Sequence, residues 1–265
     1  MKKIICLFII TIFISSLTSC SEDQDDNFKV KLLTKVIEVN EDESTSTIDF
    51  TYDGNKIATI KSEVSLKTFT YTGNLITKIV ELDKTTQLSK TSDYIYDGDK
   101  LTSIVSSDNY SLNYIYNSNG SISYQKTTTD DDDDDSIILL EQGTLNFLNQ
   151  NISENKKTDY TTGTTIIATE TLSLEYDNKV NPLKNITGFS KLLDHFNHIS
   201  SNNITKNTHI SSTKFLETDE ESSSLVYSSK NYNYDQDGYP KELISDKPLF
   251  ETKYQKHVKS IYFYE

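Results

Sequence analysis

From Phe28 onward the chain is a succession of short segments in which apolar and polar residues alternate, separated by polar clusters that favour turns. One unit recurs as Phe50-Thr-Tyr52-Asp-Gly-Asn-Lys-Ile57-Ala-Thr-Ile60, Phe69-Thr-Tyr71-Thr-Gly-Asn-Leu-Ile76-Thr-Lys-Ile79 and Tyr94-Ile-Tyr96-Asp-Gly-Asp-Lys-Leu101-Thr-Ser-Ile104. A weaker copy begins at Tyr114-Ile-Tyr116, and distant ones at Leu174-Glu-Tyr176 and Tyr232-Asn-Tyr234. Successive early copies lie about twenty residues apart, the length of a hairpin and its return. An aromatic residue, a polar residue and a tyrosine place two rings on one strand face. Asp-Gly or Gly-Asn then supplies the positive φ of a tight hairpin turn. The return carries two apolar residues three apart, which cannot share one face of a regular strand, so the spacing predicts a bulge or burial on both faces. The fold class expected is all-β: an antiparallel β-meander of successive hairpins forming a curved or barrel-like sheet.

Two segments interrupt the pattern. In Phe189-Ser-Lys-Leu192-Leu193-Asp-His-Phe196-Asn-His-Ile199 the apolar positions fall at helical spacing. This predicts one short helix near 188–199, capped by Thr187 or Ser190 and covering a face or plugging an end of the sheet. Asp130 to Asp135 are consecutive aspartates; their mutual repulsion predicts an exposed acidic loop at 130–135 within a single β domain spanning 28–265.

The first residues have a different character. Lys2 and Lys3 precede an apolar run, Ile4 to Ile14, too short to span a bilayer and laid out as a secretory signal. It ends in Leu17-Thr18-Ser19-Cys20, which resembles the bacterial lipobox. The resemblance implies a lipoprotein signal peptide over 1–19 and acylation of Cys20 as the mature N-terminus. Residues 20–27 then read as an acidic tether, too polar to order itself. Within it Ser21, Glu22, Asp23, Asp25 and Asp26 form a run similar to the acidic export signal that follows the lipidated cysteine in surface lipoproteins of the Bacteroidetes. Tether and surface address are compatible readings.

Composition narrows the chemistry. Of the two cysteines, Cys6 leaves with the signal, so disulfides, thiolate metal sites and cysteine nucleophiles fall away. The formal charge is -14, and losing Lys2 and Lys3 with the signal takes it to -16. Every basic side chain is lysine, with no arginine to grip phosphate in a fork. Nucleic acid is thereby excluded as a partner.

The Tyr-Asp-Gly unit loosely resembles the YD repeats of large secreted shell proteins. A closer match runs through Tyr176-Asp177-Asn178-Lys179-Val180-Asn181-Pro182-Leu183, then Asn202-Asn203-Ile204, then Tyr232-Asn233-Tyr234-Asp235-Gln236-Asp237-Gly238-Tyr239-Pro240, and ends on Tyr262-Phe263-Tyr264. This order is similar to a Bacteroidetes surface lipoprotein family of unknown function with a porin-like fold. The resemblance implies a curved, barrel-like sheet and brings no catalytic residues. The aspartate run departs from the pattern and leaves the strand number open.

Candidate sites have plain alternatives. His195 and His198, beside Asp194 on the expected helix, need a third metal ligand such as His209, and a solvated helix face is the simpler reading. The aspartate run lacks the glycine-turn spacing of a calcium loop. No nucleophile elbow, phosphate-cradling loop or His-Glu-x-x-His helix occurs. The tyrosines serve as hairpin core before they serve as a sugar platform. No catalytic residue, metal or cofactor is therefore expected. The reading is a non-enzymatic lipoprotein attached to the outer membrane through its lipid, exposed at the cell surface, acting as a binding or display module for an extracellular ligand or protein partner. The alternative is a periplasm-facing carrier holding an apolar ligand in a cavity between curved sheet and helix. A display module should have a filled interior; a carrier needs an empty one. If Cys20 is the anchor, Cys20→Ser moves the protein out of the membrane fraction, because acyl chains contribute about 0.8 kcal/mol per buried methylene. A mutant that stays with the membrane after a high-salt wash contradicts the anchor.

Overall fold

The computed structural model describes residues 30–129, 136–161, 165–193, 200–244 and 257–265. The strands all lie in the unit from Lys31 to Glu265. They are β1 (Leu33–Asn40), β2 (Thr45–Asp53), β3 (Lys56–Lys61), β4 (Ser65–Thr72), β5 (Leu75–Asp83), β6 (Ser89–Asp97), β7 (Lys100–Ser106), β8 (Tyr110–Tyr116) and β9 (Ile122–Thr129). Then follow β10 (Ile137–Leu148), β11 (Asn151–Asp159), β12 (Ile166–Tyr176), β13 (Ile204–Phe215), β14 (Glu221–Ser229), β15 (Asn231–Tyr234), β16 (Pro240–Ile244) and β17 (His257–Tyr264).

Each strand from β1 to β13 pairs antiparallel with the next, β15 pairs with β16, β16 with β17, and β17 returns to β1. Only Lys230 separates β14, which lies on β13, from β15, which lies on β16, so this stretch carries the sheet across the remaining seam. Among the described residues the result is a nearly closed antiparallel barrel of seventeen strands, as the hairpin pattern predicts. The β2–β3, β4–β5 and β6–β7 turns gather at one end, the turn end, where the chain also enters at Leu33. The β3–β4, β5–β6 and β7–β8 connections lie at the other end, the mouth.

The two apolar residues of each return do face inward together, and a bulge is the reason. Tyr52 pairs with Ile57 while Thr51 pairs with Thr59; Tyr71 pairs with Ile76 while Thr70 pairs with Lys78; Tyr96 pairs with Leu101 while Ile95 pairs with Ser103. Each shift inserts one residue and brings both members of Ile57/Ile60, Ile76/Ile79 and Leu101/Ile104 to the core side. The same irregularity recurs at Ile152 and at Pro240.

A second consequence is that the ladder between neighbouring hairpins stops two residues beyond the bulge. It begins at Thr59 on β3, Lys78 on β5, Ser103 on β7, Glu154 on β11 and Glu242 on β16. The backbone at the turn end is then without a ladder partner on that side, and a tyrosine hydroxyl from the next strand takes its place. Tyr96 donates to the Ile76 carbonyl at 2.9 Å, Tyr116 to Leu101 at 3.1 Å, Tyr176 to Ile152 at 2.8 Å and Tyr264 to Pro240 at 2.8 Å. Tyr52 does the same for Leu33 at 2.6 Å, where β1 is bulged against β17. Tyr71 accepts the Ile57 N–H at 3.1 Å. Burial pushes these phenols up, Tyr71 to about 12, so they remain donors at any physiological pH.

The splayed turn end is filled by residues 183–193. Leu183, Ile186, Phe189 and Leu192 enter the core, with the Phe189 ring 6.3 Å from that of Phe69. The Thr187 N–H donates to the Asn55 carbonyl at 2.9 Å, its own carbonyl accepts from Tyr71 at 3.1 Å, and Lys191 pairs with Asp99 at 2.5 Å. Here the structure corrects the expected helix over 188–199. Its described part is one 3-10 turn, Phe189–Lys191, with Gly188 at the N-cap position and no side-chain cap, so neither Thr187 nor Ser190 caps it. Leu193 at φ +47 takes the chain out of right-handed helical geometry. The apolar spacing there matches a segment pressed into the barrel and pinned to neighbouring turns. Residues 194–199 lie outside the described residues, as does the aspartate run 130–135.

The outer wall mixes exposed apolar residues such as Ile95, Val105 and Ile115 with charged pairs. Cross-strand pairs Lys35–Asp49 (4.0 Å), Lys78–Asp93 (3.1 Å), Lys206–Glu175 (2.8 Å) and Lys259–Glu242 (3.1 Å) sit on the outward face. Against hydrocarbon each lysine would cost roughly 2–4 kcal/mol; against water such pairs cost little.

Gly54, Gly73 and Gly98 hold the first central position of their two-residue turns at φ +58, +59 and +60, with nothing near enough to touch an added Cβ. Backbone conformation alone therefore sets the cost of replacing them. In urea unfolding, Gly98→Val is expected to lose roughly 1–3 kcal/mol, Gly98→Ala less and Gly98→Asn least. Equal losses for asparagine and valine would contradict the turn assignment.

Candidate functional site

The period of two that builds the core also builds the interior above it. Strand positions in phase with the buried rings point inward along their whole length. Near the turn end those positions hold Phe69, Ile79, Tyr94, Ile104, Tyr114 and Tyr124; two residues or more toward the mouth they turn polar and charged. Between them lies a cavity of about 1060 Å³, bounded at the turn end by Leu183, Phe189, Leu192 and Leu193. The interior is filled only in its lower part.

Toward the mouth the lining forms a belt of alternating charge. Lys67 on β4 faces Glu81 on β5 at 3.5 Å. Glu81 is the cross-strand partner of Lys90 on β6, which pairs with Asp108 beside β8. Tyr110 on β8 lies under two ammonium groups, Lys126 of β9 at 4.4 Å and Lys90 at 5.3 Å from the ring centroid. Glu141 on β10 meets Lys157 on β11 at 3.3 Å, Lys157 meets Glu170 on β12 at 3.4 Å, and Glu170 meets His209 on β13 at 3.3 Å. The belt thus crosses ten consecutive strands. Its side chains are reached by water: those of Lys67, Glu81, Lys90 and Glu170 are each about 40% exposed.

The surroundings keep these groups charged. Burial works against the Lys157 ammonium, but Glu141 and Glu170 outweigh it and hold its pKa above the ordinary lysine value. The hydrogen bond to Asp108 raises Lys90 likewise. Tyr124, buried beside Glu141, is pushed far up and donates to Asn155 at 3.1 Å. Its ring lies across Gly143 on β10, where any Cβ would come within 2.5 Å of it, so this strand position admits only glycine while the ring stays there.

One buried group resembles a nucleophile with its base. Ser260 lies 3.0 Å from the His257 Nε2, and Glu38 faces Ser260 across the β1–β17 ladder. Ser260 has 0% of its surface exposed and is not part of the cavity lining, so no substrate reaches it in this conformation. The group is polar packing.

Cys20, Ser21, Glu22, Asp23, Asp25 and Asp26 lie outside the described residues, as do Asp194, His195 and His198. His209 is placed on β13 against Glu170, and among the described residues no cluster of three or more His, Cys, Asp or Glu could hold a metal ion. Reading the sequence alone misses the belt. Its signal is phase: Lys67 precedes Phe69 by two, Glu81 follows Ile79 by two, and Lys126 follows Tyr124 by two.

No protein-family profile matches the chain, and no curated protein sequence matches it. Among the solved structures similar to this chain are two porin-like proteins. One, a porin-like protein from Bacteroides vulgatus, is 14% identical with a TM-score of 0.49, covering 89% of this chain and 99% of its own. The other, a porin-like protein from Bacteroides uniformis, is 13% identical with a TM-score of 0.44, covering 88% of this chain and 98% of its own.

Proposed function

We propose that this chain is a non-enzymatic, lipid-anchored protein of the outer membrane, exposed at the cell surface, whose barrel takes an amphipathic molecule into its interior. The observation that carries this reading is the cavity of about 1060 Å³, apolar against Leu183, Phe189 and Leu192 and charged at the belt. Its volume is at the upper end of small-molecule sites. A ligand with an apolar body and a polar head satisfies both regions, whereas a wholly apolar one would strip water from the charged belt without replacing its hydrogen bonds. The outward ion pairs favour a barrel standing in water over one inserted in lipid. Attachment rests on the lipobox at Cys20 and surface display on the acidic run Ser21 to Asp26. The first strand begins at Leu33, at the turn end, opposite the mouth.

This reading keeps the cavity of the carrier alternative and gives it a different ligand and a different wall: residues 183–193 line it as an irregular plug. The neutral fluorescent probe N-phenyl-1-naphthylamine reports on it. The mature chain carrying Cys20→Ser should enhance its fluorescence saturably at one site per molecule. Ser92→Trp, which places an indole in the cavity, should abolish the enhancement while leaving the circular dichroism unchanged. Absence of saturable binding, or binding unaffected by Ser92→Trp in a folded variant, contradicts the proposal.

A further inference from the structure

Resting on that reading, we infer that the belt selects an anionic headgroup and that Lys126 is the residue that seats it. The pairing of the belt explains the choice. Lys67 is matched by Glu81, Lys90 by Asp108, and Lys157 by both Glu141 and Glu170. Lys126 stands opposite Glu141 in the β9–β10 register. That carboxylate is turned to Lys157, however, and among the described residues Lys126 makes no ion pair. Its ammonium lies instead over the face of Tyr110 at 4.4 Å, with the Lys90 ammonium on the same ring at 5.3 Å.

A ring face attracts a cation without cancelling its charge. Two lysines share this ring, but Lys90 is flanked by Asp108 and Glu81, whereas among the described residues no carboxylate lies within ion-pair distance of Lys126 and Asp159 acts on it only from further off, so Lys126 is the belt lysine whose ammonium is left to take a further anion. The corner lines the cavity, as do Leu112 and Tyr114 further in. A monoanionic head at Lys126 therefore places an attached apolar chain down the wall toward Phe189 and Leu192. Lysine is a point charge with no fork to match a particular oxyanion. The recognition is of charge, and the ligand class is a single-chain amphiphile with one negative head, a long-chain carboxylate being the simplest member.

Displacement of bound N-phenyl-1-naphthylamine from the mature Cys20→Ser chain tests this, with laurate and dodecyltrimethylammonium as competitors of equal chain length. Laurate should displace the probe at roughly tenfold to hundredfold lower concentration than the cation, the range expected of one charged hydrogen bond. Lys126→Gln should erase that preference, Lys126→Arg should keep it, and Lys78→Gln on the outer wall should leave both the preference and the affinity for the neutral probe untouched. A probe that binds while the two competitors act equally, or an anion preference that survives Lys126→Gln, overturns the inference and leaves the binding cavity standing. A wild-type chain that does not take up the probe overturns both.

Discussion

A tyrosine hydroxyl placed where a β-ladder stops is the interaction on which the rest of this barrel depends. Each bulge brings two apolar side chains to the core but ends the hydrogen bonding to the next hairpin. The carbonyls of Ile76, Leu101, Ile152 and Pro240 would then be stranded in an apolar layer, at roughly 1–3 kcal/mol each. Tyr96, Tyr116, Tyr176 and Tyr264 reach across and satisfy them. The hairpins can therefore splay at the turn end without losing their pairing, and the splay admits the plug formed by Leu183, Phe189 and Leu192. That explains why the repeat needs a tyrosine at its second aromatic position, where phenylalanine would pack equally well.

The plug in turn decides what the interior can be. It fills the lower part of the barrel, so the phase-matched positions above it are free of a packing requirement and carry lysines, glutamates and Tyr110. One periodicity thus produces a dry layer and a wet one within the same strands. Phe69 and Lys67 are neighbours on one face of β4, as are Ile79 and Glu81 on β5. Buried charge in the dry layer would be costly; at the mouth, with Lys67 and Glu81 each about 40% exposed, the same pair is inexpensive.

The hairpins, the turn glycines and the bulges are legible in the sequence because each is local: Tyr96-Asp-Gly98 and the Leu101/Ile104 spacing hold their whole explanation within one unit. Closure is legible only as a curved or barrel-like sheet, since the β1–β17 pairing joins segments more than two hundred residues apart and nothing local encodes it. The belt is hidden because a lysine at an inward position reads, on polarity alone, as a strand end facing water. The plug misleads in the opposite way. Phe189, Leu192 and Leu193 have helical spacing, yet their burial is imposed by the turns of other hairpins through Asn55, Tyr71 and Asp99, and the backbone follows those contacts.

The most direct measurement is urea unfolding of Tyr96→Phe and Tyr116→Phe against Tyr227→Phe, whose position on β14 is 68% exposed. Removing a capping hydroxyl leaves a buried carbonyl unpaired while the ring stays in place. The expected loss is roughly 1–3 kcal/mol for each of the first two variants, with the third near zero. If all three unfold at the same urea concentration as the parent, the hydroxyls do not hold the splayed end, and neither the plug nor the cavity above it owes its existence to them.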